Sequence, residues 1–93
     1  MRKFKLVAVG GTFDIIHKGH LELLRTAFEV GDNVVIGLST DDFVRRMGKL
    51  HEVKPYSERL ENLKKLLINM RVDFRATVTP IEDPYGPAAS DPA

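Results

Sequence analysis

The 93 residues are enough for one small domain, and 43% hydrophobic with 29% charged content is the balance of a globular chain. The absence of cysteine excludes disulfides, thiolate metal sites and cysteine nucleophiles. A formal net charge of +1 argues against a general nucleic-acid binder. No apolar run reaches the length of a membrane span and no signal peptide precedes the first element, so the expected setting is the cytoplasm.

Residues 4–9 are short, apolar and closed by Gly10-Gly11, which predicts a buried strand. Over residues 18–30, Leu21, Leu23, Leu24, Ala27, Phe28 and Val30 mix three- and four-residue spacings, the period of a helix. Gly31-Asp32 reads as a turn after that helix. Residues 33–38, with Val34-Val35-Ile36, predict a second buried strand. Ser39-Thr40 supplies an N-cap candidate and Asp41-Asp42 suits a first turn, so a short helix is expected to about Met47. A charged loop over residues 48–54 then leads to Pro55, well placed at the first position of the next helix. The next helix carries Leu60, Leu63, Leu66 and Leu67 on one face and should end near Met70. In residues 73–79, Phe74, Ala76 and Val78 alternate as in a strand. Residues 80–93 hold four of the five prolines and no period, so they read as loop.

This order, β-α-β-α-α-β then loop, predicts an α/β fold: a Rossmann-like, doubly wound parallel sheet of which the first half is visible, in strand order 3-2-1. Ligands of such sheets bind beyond the carboxyl ends of the strands. The segment Gly10-Gly11-Thr12-Phe13-Asp14-Ile15-Ile16-His17-Lys18-Gly19-His20 stands there. Its glycines allow close backbone approach, and the helix start offers free N–H groups and the positive end of a dipole to a phosphate. His17 and His20 share one helix face, about 5–6 Å apart at Cβ. They have no third ligand at metal spacing, and His51 lies far along in a loop, so no protein metal site is expected. Charge stabilisation on a polyphosphate by imidazole N–H donors is the chemistry this pattern suits. The bland alternative is a strand-loop-helix turn with two surface histidines. Asp14 is expected to bond nearby backbone N–H groups, and Lys18 to be solvated. In Lys54-Pro55-Tyr56-Ser57-Glu58-Arg59-Leu60, residue type leaves Arg59 two readings: a fork on an anionic ligand, or a surface arginine paired with Glu58 or Glu61.

Gly-Gly-Thr-Phe-Asp followed by His-x-Gly-His resembles the signature of the nucleotidyltransferase superfamily. The Tyr56-x-x-Arg59 element and the Asp83-Pro84-Tyr85-Gly86-Pro87 run resemble the archaeal and eukaryotic phosphopantetheine adenylyltransferases in particular. The resemblance implies adenylyl transfer from ATP to 4′-phosphopantetheine, giving dephospho-CoA and pyrophosphate, with Mg²⁺ accompanying ATP. It implies that His17 contacts the phosphates and His20 holds the transition state. It also implies that Gly10, Gly11, Thr12, Phe13, Gly19 and Arg59 serve the nucleotide, and Tyr56, Asp83, Pro84, Tyr85 and Gly86 the acceptor. No nucleic acid or membrane is implied as a partner. Rival readings within the class are an FAD synthase and a glycerol-phosphate cytidylyltransferase; outside it stands a non-catalytic nucleotide-binding remnant. Family members continue with further strands and a serine-rich turn, so residues 1–93 are expected to be one nucleotidyltransferase domain lacking its C-terminal strands.

Overall fold

In a computed structural model, residues 3–46, 48 and 53–82 are described. The elements run β1 (Phe4–Gly11), α1 (Lys18–Val30), β2 (Gly31–Ser39), α2 (Asp41–Arg46), α3 (Tyr56–Asn69), a single 3₁₀ turn (Asp73–Arg75) and β3 (Ala76–Ile81). The strands form one parallel sheet in the order β1-β2-β3, the expected 3-2-1 half-sheet seen from its other edge. The register pairs Val7 with Val34 and Val9 with Ile36, and on the other side Ile36 with Val78.

Paired residues of a parallel sheet point the same way. Val7, Val9, Val34, Ile36, Leu38, Ala76 and Val78 therefore form one apolar face. Against it pack Leu24, Ala27 and Phe28 of α1 and Leu63 and Leu67 of α3. Both helices lie on this one face because right-handed crossovers that step the same way across a sheet place them there. Among the described residues nothing covers the opposite face of β1, where Phe4 is 56% and Leu6 60% exposed. Among the described residues β1 pairs only with β2 and is an edge strand, although its composition is that of a strand covered on both faces.

Three local expectations are corrected. Gly31 is not a turn glycine: its φ of −117° and ψ of 140° are extended, and β2 begins directly on it. Its value is space, because a Cβ there would lie 2.7 Å from Val7 Cγ2. Residues 73–75 are a 3₁₀ turn rather than strand, and Phe74 is 79% exposed instead of inward. The turn lets Arg75 reach back and donate to the carbonyls of Phe28 (2.7 Å), Gly31 (2.8 Å) and Asp32 (2.9 Å), joining β3 to the end of α1. β3 accordingly starts at Ala76 and continues to Ile81, through Pro80; an edge strand tolerates a proline.

The helix ends follow local chemistry. Thr40, not Ser39, caps α2, its Oγ1 accepting from the Phe43 N–H at 3.1 Å. Pro55 is the residue before α3 rather than inside it. α3 closes in a Schellman arrangement. The Val72 N–H donates to the Leu67 carbonyl at 3.1 Å and the Arg71 N–H to that of Ile68 at 2.9 Å. Arg71 there adopts φ +62°, the left-handed position glycine usually fills.

Candidate functional site

The site is built where β1 ends. After Gly11 the chain reverses through Phe13, which adopts φ +50° although it is not glycine. That backbone costs about 1–2 kcal/mol, which burial of a phenylalanine side chain, about 1.5–3 kcal/mol, offsets. Phe13 is 1% exposed, and its ring lies so close beneath Gly11 that a Cβ there would stand 3.1 Å from Phe13 Cε2. The Phe13 ring also reaches His20, at 4.9 Å between ring centroids.

α1 starts at Lys18, and its first turn is capped by the two histidines themselves. His17 is the N-cap residue, and its Nδ1 accepts from the Gly19 N–H at 3.0 Å. His20 Nδ1 reaches back and accepts from the His17 N–H at 3.2 Å. The arrangement is a capping box in which imidazoles replace the usual hydroxyl and carboxylate. The rings stack with centroids 4.0 Å apart and planes 25° from parallel. Gly19 is explained by the same geometry: a Cβ would lie 2.9 Å from His17 Cε1 and 3.1 Å from its Nδ1. The glycine between the histidines leaves room for a capping imidazole. The pKa of His20 is lowered, first by burial and then by the neighbouring His17, with a backbone hydrogen bond at Ile15 pulling the other way.

Behind the turn stands Arg59. Its placement departs from both readings open at the level of sequence, since it neither reaches an open site nor pairs on the surface. The side chain is completely buried on the inner face of α3, in line with Leu63 and Leu67. Its Nε donates to the Lys54 carbonyl at 2.7 Å. Nη1 donates to the carbonyls of Thr12 at 3.0 Å and Ser39 at 2.8 Å, and Nη2 to Asp41 Oδ1 at 2.9 Å. One guanidinium therefore holds the ends of β1 and β2 and the entries to α2 and α3. Glu58 and Glu61 take no part, because the residues that bond Arg59 come from other elements.

Three further residues tie the same corner, and sequence reasoning had given them no such role. The Asp14 carboxylate accepts from the Lys54 N–H at 2.7 Å, forty positions away rather than nearby, and Lys54 Nζ lies 3.4 Å from the Asp14 carbonyl. Asp41 accepts from the Tyr56 N–H at 2.9 Å as well as from Arg59. Ser39 is buried and donates to the Gly11 carbonyl at 3.3 Å. The signal for Ser39 was a polar residue closing the apolar run Val34-Val35-Ile36-Gly37-Leu38; the partners of Asp14 and Asp41 were not readable. Tyr56 is half-buried against the core, its ring centroid 5.8 Å from the Arg59 guanidinium carbon. Gly10 and Gly11 end β1, and Thr12 follows in the turn, as expected. The structure thus brings Gly10, Gly11, Thr12, Phe13, His17, Gly19 and His20 together, with Arg59 and Tyr56 behind them. Asp83, Pro84, Tyr85 and Gly86 lie outside the described residues.

The glycine turn and the histidine-capped helix thus stand beyond the carboxyl end of a strand in a parallel α/β sheet, the position at which open α/β folds bind ligands. The sequence model of the cytidylyltransferase-like family matches residues 8–83, and the chain belongs to that family. Among its relatives, the phosphopantetheine adenylyltransferase of Pyrobaculum aerophilum is 44% identical over 90 residues, covering 97% of this chain and 57% of the relative. That of Methanopyrus kandleri is 43% identical, covering 98% of this chain and 57% of the relative. That of Methanothermobacter thermautotrophicus is 45% identical, covering 99% and 54%. A crystal structure of a protein of unknown function from Archaeoglobus fulgidus superposes with a TM-score of 0.71 at 34% identity, over 92% of this chain and 59% of the other. The chain thus spans somewhat more than half the length of the curated relatives it matches.

Proposed function

We propose that this chain forms the phosphate-binding part of an enzyme that transfers the adenylyl group of ATP to 4′-phosphopantetheine. The phosphate of the acceptor attacks the α-phosphorus of ATP, the α–β bond breaks, and dephospho-CoA and pyrophosphate leave. The observation that carries the reading is the turn from Gly10 to His20: a glycine-ended strand, a buried left-handed Phe13 and two stacked imidazoles on the first turn of α1. The match to archaeal phosphopantetheine adenylyltransferases over nearly the whole chain supports the choice of substrates.

In this reading the backbone of Thr12 and Phe13 and the imidazoles of His17 and His20 face the triphosphate. Donors already aimed at the developing charge stabilise a transition state without reorganising. Arg59 acts behind them as a positioning residue by fixing the Thr12 carbonyl. Gly19 acts by admitting the His17 ring. Tyr56 and the segment Asp83-Pro84-Tyr85-Gly86 serve the acceptor. Among the described residues no three imidazole or carboxylate groups converge on a metal-sized site. Mg²⁺ would accompany ATP, held by the triphosphate and water, where it supplies charge neutralisation. Among the described residues no helix is long and apolar enough to cross a membrane, and the proposed setting is the cytoplasm.

The test is pyrophosphate release by the full-length protein, with ATP or CTP as donor and phosphopantetheine, FMN or glycerol 3-phosphate as acceptor. ATP with phosphopantetheine should give the highest turnover. Higher turnover with another pair would reassign the substrate, and binding without release would make the chain part of a non-catalytic module. Replacing Asp83-Pro84-Tyr85-Gly86 by a Gly/Ser stretch should impair acceptor use more than ATP binding.

A further inference from the structure

The carboxyl ends of the three strands stand in one row, Gly11 beside Leu38 and Leu38 beside Pro80. Neighbouring strands are about 4.8 Å apart, so the ends of β1 and β3 lie about 10 Å apart. The glycine turn leaves β1. The chain that runs on into Asp83 leaves β3, and Glu82 is its last described residue. From the central strand, β2, the chain enters α2, whose six residues rise about 9 Å. A helix of that length has no stability of its own, so its tertiary ties decide its place.

Those ties reach both outer strands. Phe43 and Val44 are buried and fix the inner face of α2. At its start the Thr40 N–H donates to the Ile81 carbonyl at 3.1 Å. Asp41 Oδ1 accepts there from the Tyr56 N–H and from Arg59 Nη2, both at 2.9 Å. Arg59 joins that end to the turn after β1, since its Nη1 donates to the Thr12 carbonyl. At the other end of α2, Arg46 Nη2 donates to the Glu82 carbonyl at 2.7 Å, thirty-six positions along the chain. The neighbouring arginine behaves differently. Arg45 is also exposed, but it pairs with Asp42 on its own helix, a contact worth little. Among the described residues Arg46 has no carboxylate partner, and its charged donor is directed at main chain.

We propose that Arg46 is a positioning residue for the acceptor: by holding the Glu82 carbonyl to the end of α2, it sets where the chain leaves β3 and so where the segment that begins at Asp83 starts relative to the turn after β1. The proposal rests on the assignment of Asp83-Pro84-Tyr85-Gly86 to the acceptor. α2 then acts as a spacer, tied through Asp41 and Arg59 to the nucleotide side and through Arg46 to the acceptor side. The reaction makes that spacing matter. The acceptor phosphate must meet the α-phosphorus in line, and a misplacement of about 1 Å can cost about 10²-fold in rate.

The experiment is steady-state kinetics of the full-length protein and its Arg46→Ala and Arg46→Lys variants. Thermal melts and hydrogen–deuterium exchange of the unliganded proteins accompany it. Arg46→Ala should lower kcat/KM for phosphopantetheine by about tenfold or more and leave KM for ATP within about twofold. The melt should stay at the wild-type value, as expected of an exposed side chain. Exchange should quicken over residues 78–82 and stay unchanged over residues 10–20. Arg46→Lys offers one donor to the same carbonyl and should recover most of the acceptor use. Wild-type kcat/KM for phosphopantetheine in Arg46→Ala would overturn the proposal. So would impaired acceptor use with unchanged exchange, which would make Arg46 a direct contact of the acceptor. A lowered melt with ATP and acceptor use falling together would make it a structural residue only. Failure of the underlying reading looks different: wild-type protein that releases no pyrophosphate from ATP and phosphopantetheine would overturn that reading, and the role of Arg46 with it.

Discussion

Removing Arg59 should unfold the site before it affects any direct contact with a ligand. The side chain is wholly buried and makes four hydrogen bonds of 2.7–3.0 Å to Lys54, Thr12, Ser39 and Asp41. Hydrogen bonds to a charged group are worth about 1.5–3 kcal/mol each when taken singly, but four on one guanidinium do not add. Asp41 is 47% exposed in its side chain and can be rehydrated, so its share is small. The three carbonyls lose their charged donor, and α3 gains a cavity beside Leu63. Each buried carbonyl left without a donor costs about 1–3 kcal/mol, so even with incomplete additivity the loss is several kcal/mol. That is a large fraction of the roughly 5–15 kcal/mol that holds a domain together. Arg59→Ala should therefore lower the denaturant midpoint of the full-length protein sharply. Arg59→Lys should recover only part of the loss, since a single ammonium cannot span four acceptors set around a planar fork. Denaturant melts paired with ATP titration by calorimetry would measure both effects. A wild-type melt together with an ATP affinity reduced tenfold or more, in either variant, would refute the reasoning and place the guanidinium on the nucleotide.

Gly19→Ala should leave stability within about 1 kcal/mol of wild type, because the lost cap and the gained helix propensity are each worth about 1 kcal/mol. Turnover should nevertheless fall at least tenfold, as the new methyl displaces the His17 ring; steady-state kinetics beside a melt checks this. Arg71→Gly should stabilise the protein by about 1 kcal/mol, since it relieves the left-handed backbone after α3, and a thermal melt would show it. Leu6→Lys in the isolated 93-residue polypeptide should reduce self-association through the bare face and edge of β1, measured by sedimentation. The His20 pKa is lowered on folding, so its contribution to stability is present above the unfolded value of about 6.5 and is lost as pH falls below it. His20→Asn should flatten that part of the stability–pH curve in denaturant melts.

Much of the fold was legible along the chain because it depends on local patterns. Apolar runs closed by glycine predicted β1 and β2. The three- and four-residue spacing predicted α1 and α3, and strands alternating with helices predicted a parallel sheet in serial order. The loop-to-helix signature placed the candidate site at the end of β1 for the same reason: glycines and histidines acting within ten residues of one another. What failed was every feature set by a distant partner. Arg59 looks like a surface or ligand-binding residue on its helix, and only the convergence of Thr12, Ser39, Asp41 and Lys54 makes burying its charge tolerable. Gly31 looks like a turn, until Val7 of the neighbouring strand fills the space where its Cβ would be. Residues 73–75 alternate like a strand, yet Arg75 turns back to the end of α1. Sequence by itself determined the order of the elements and the place of the candidate site along the chain, because both are written in short-range spacing. Tertiary structure decided which charged group could be buried and which glycine was needed for space between strands. Those depend on hydrogen bonds and contacts whose partners no local pattern specifies.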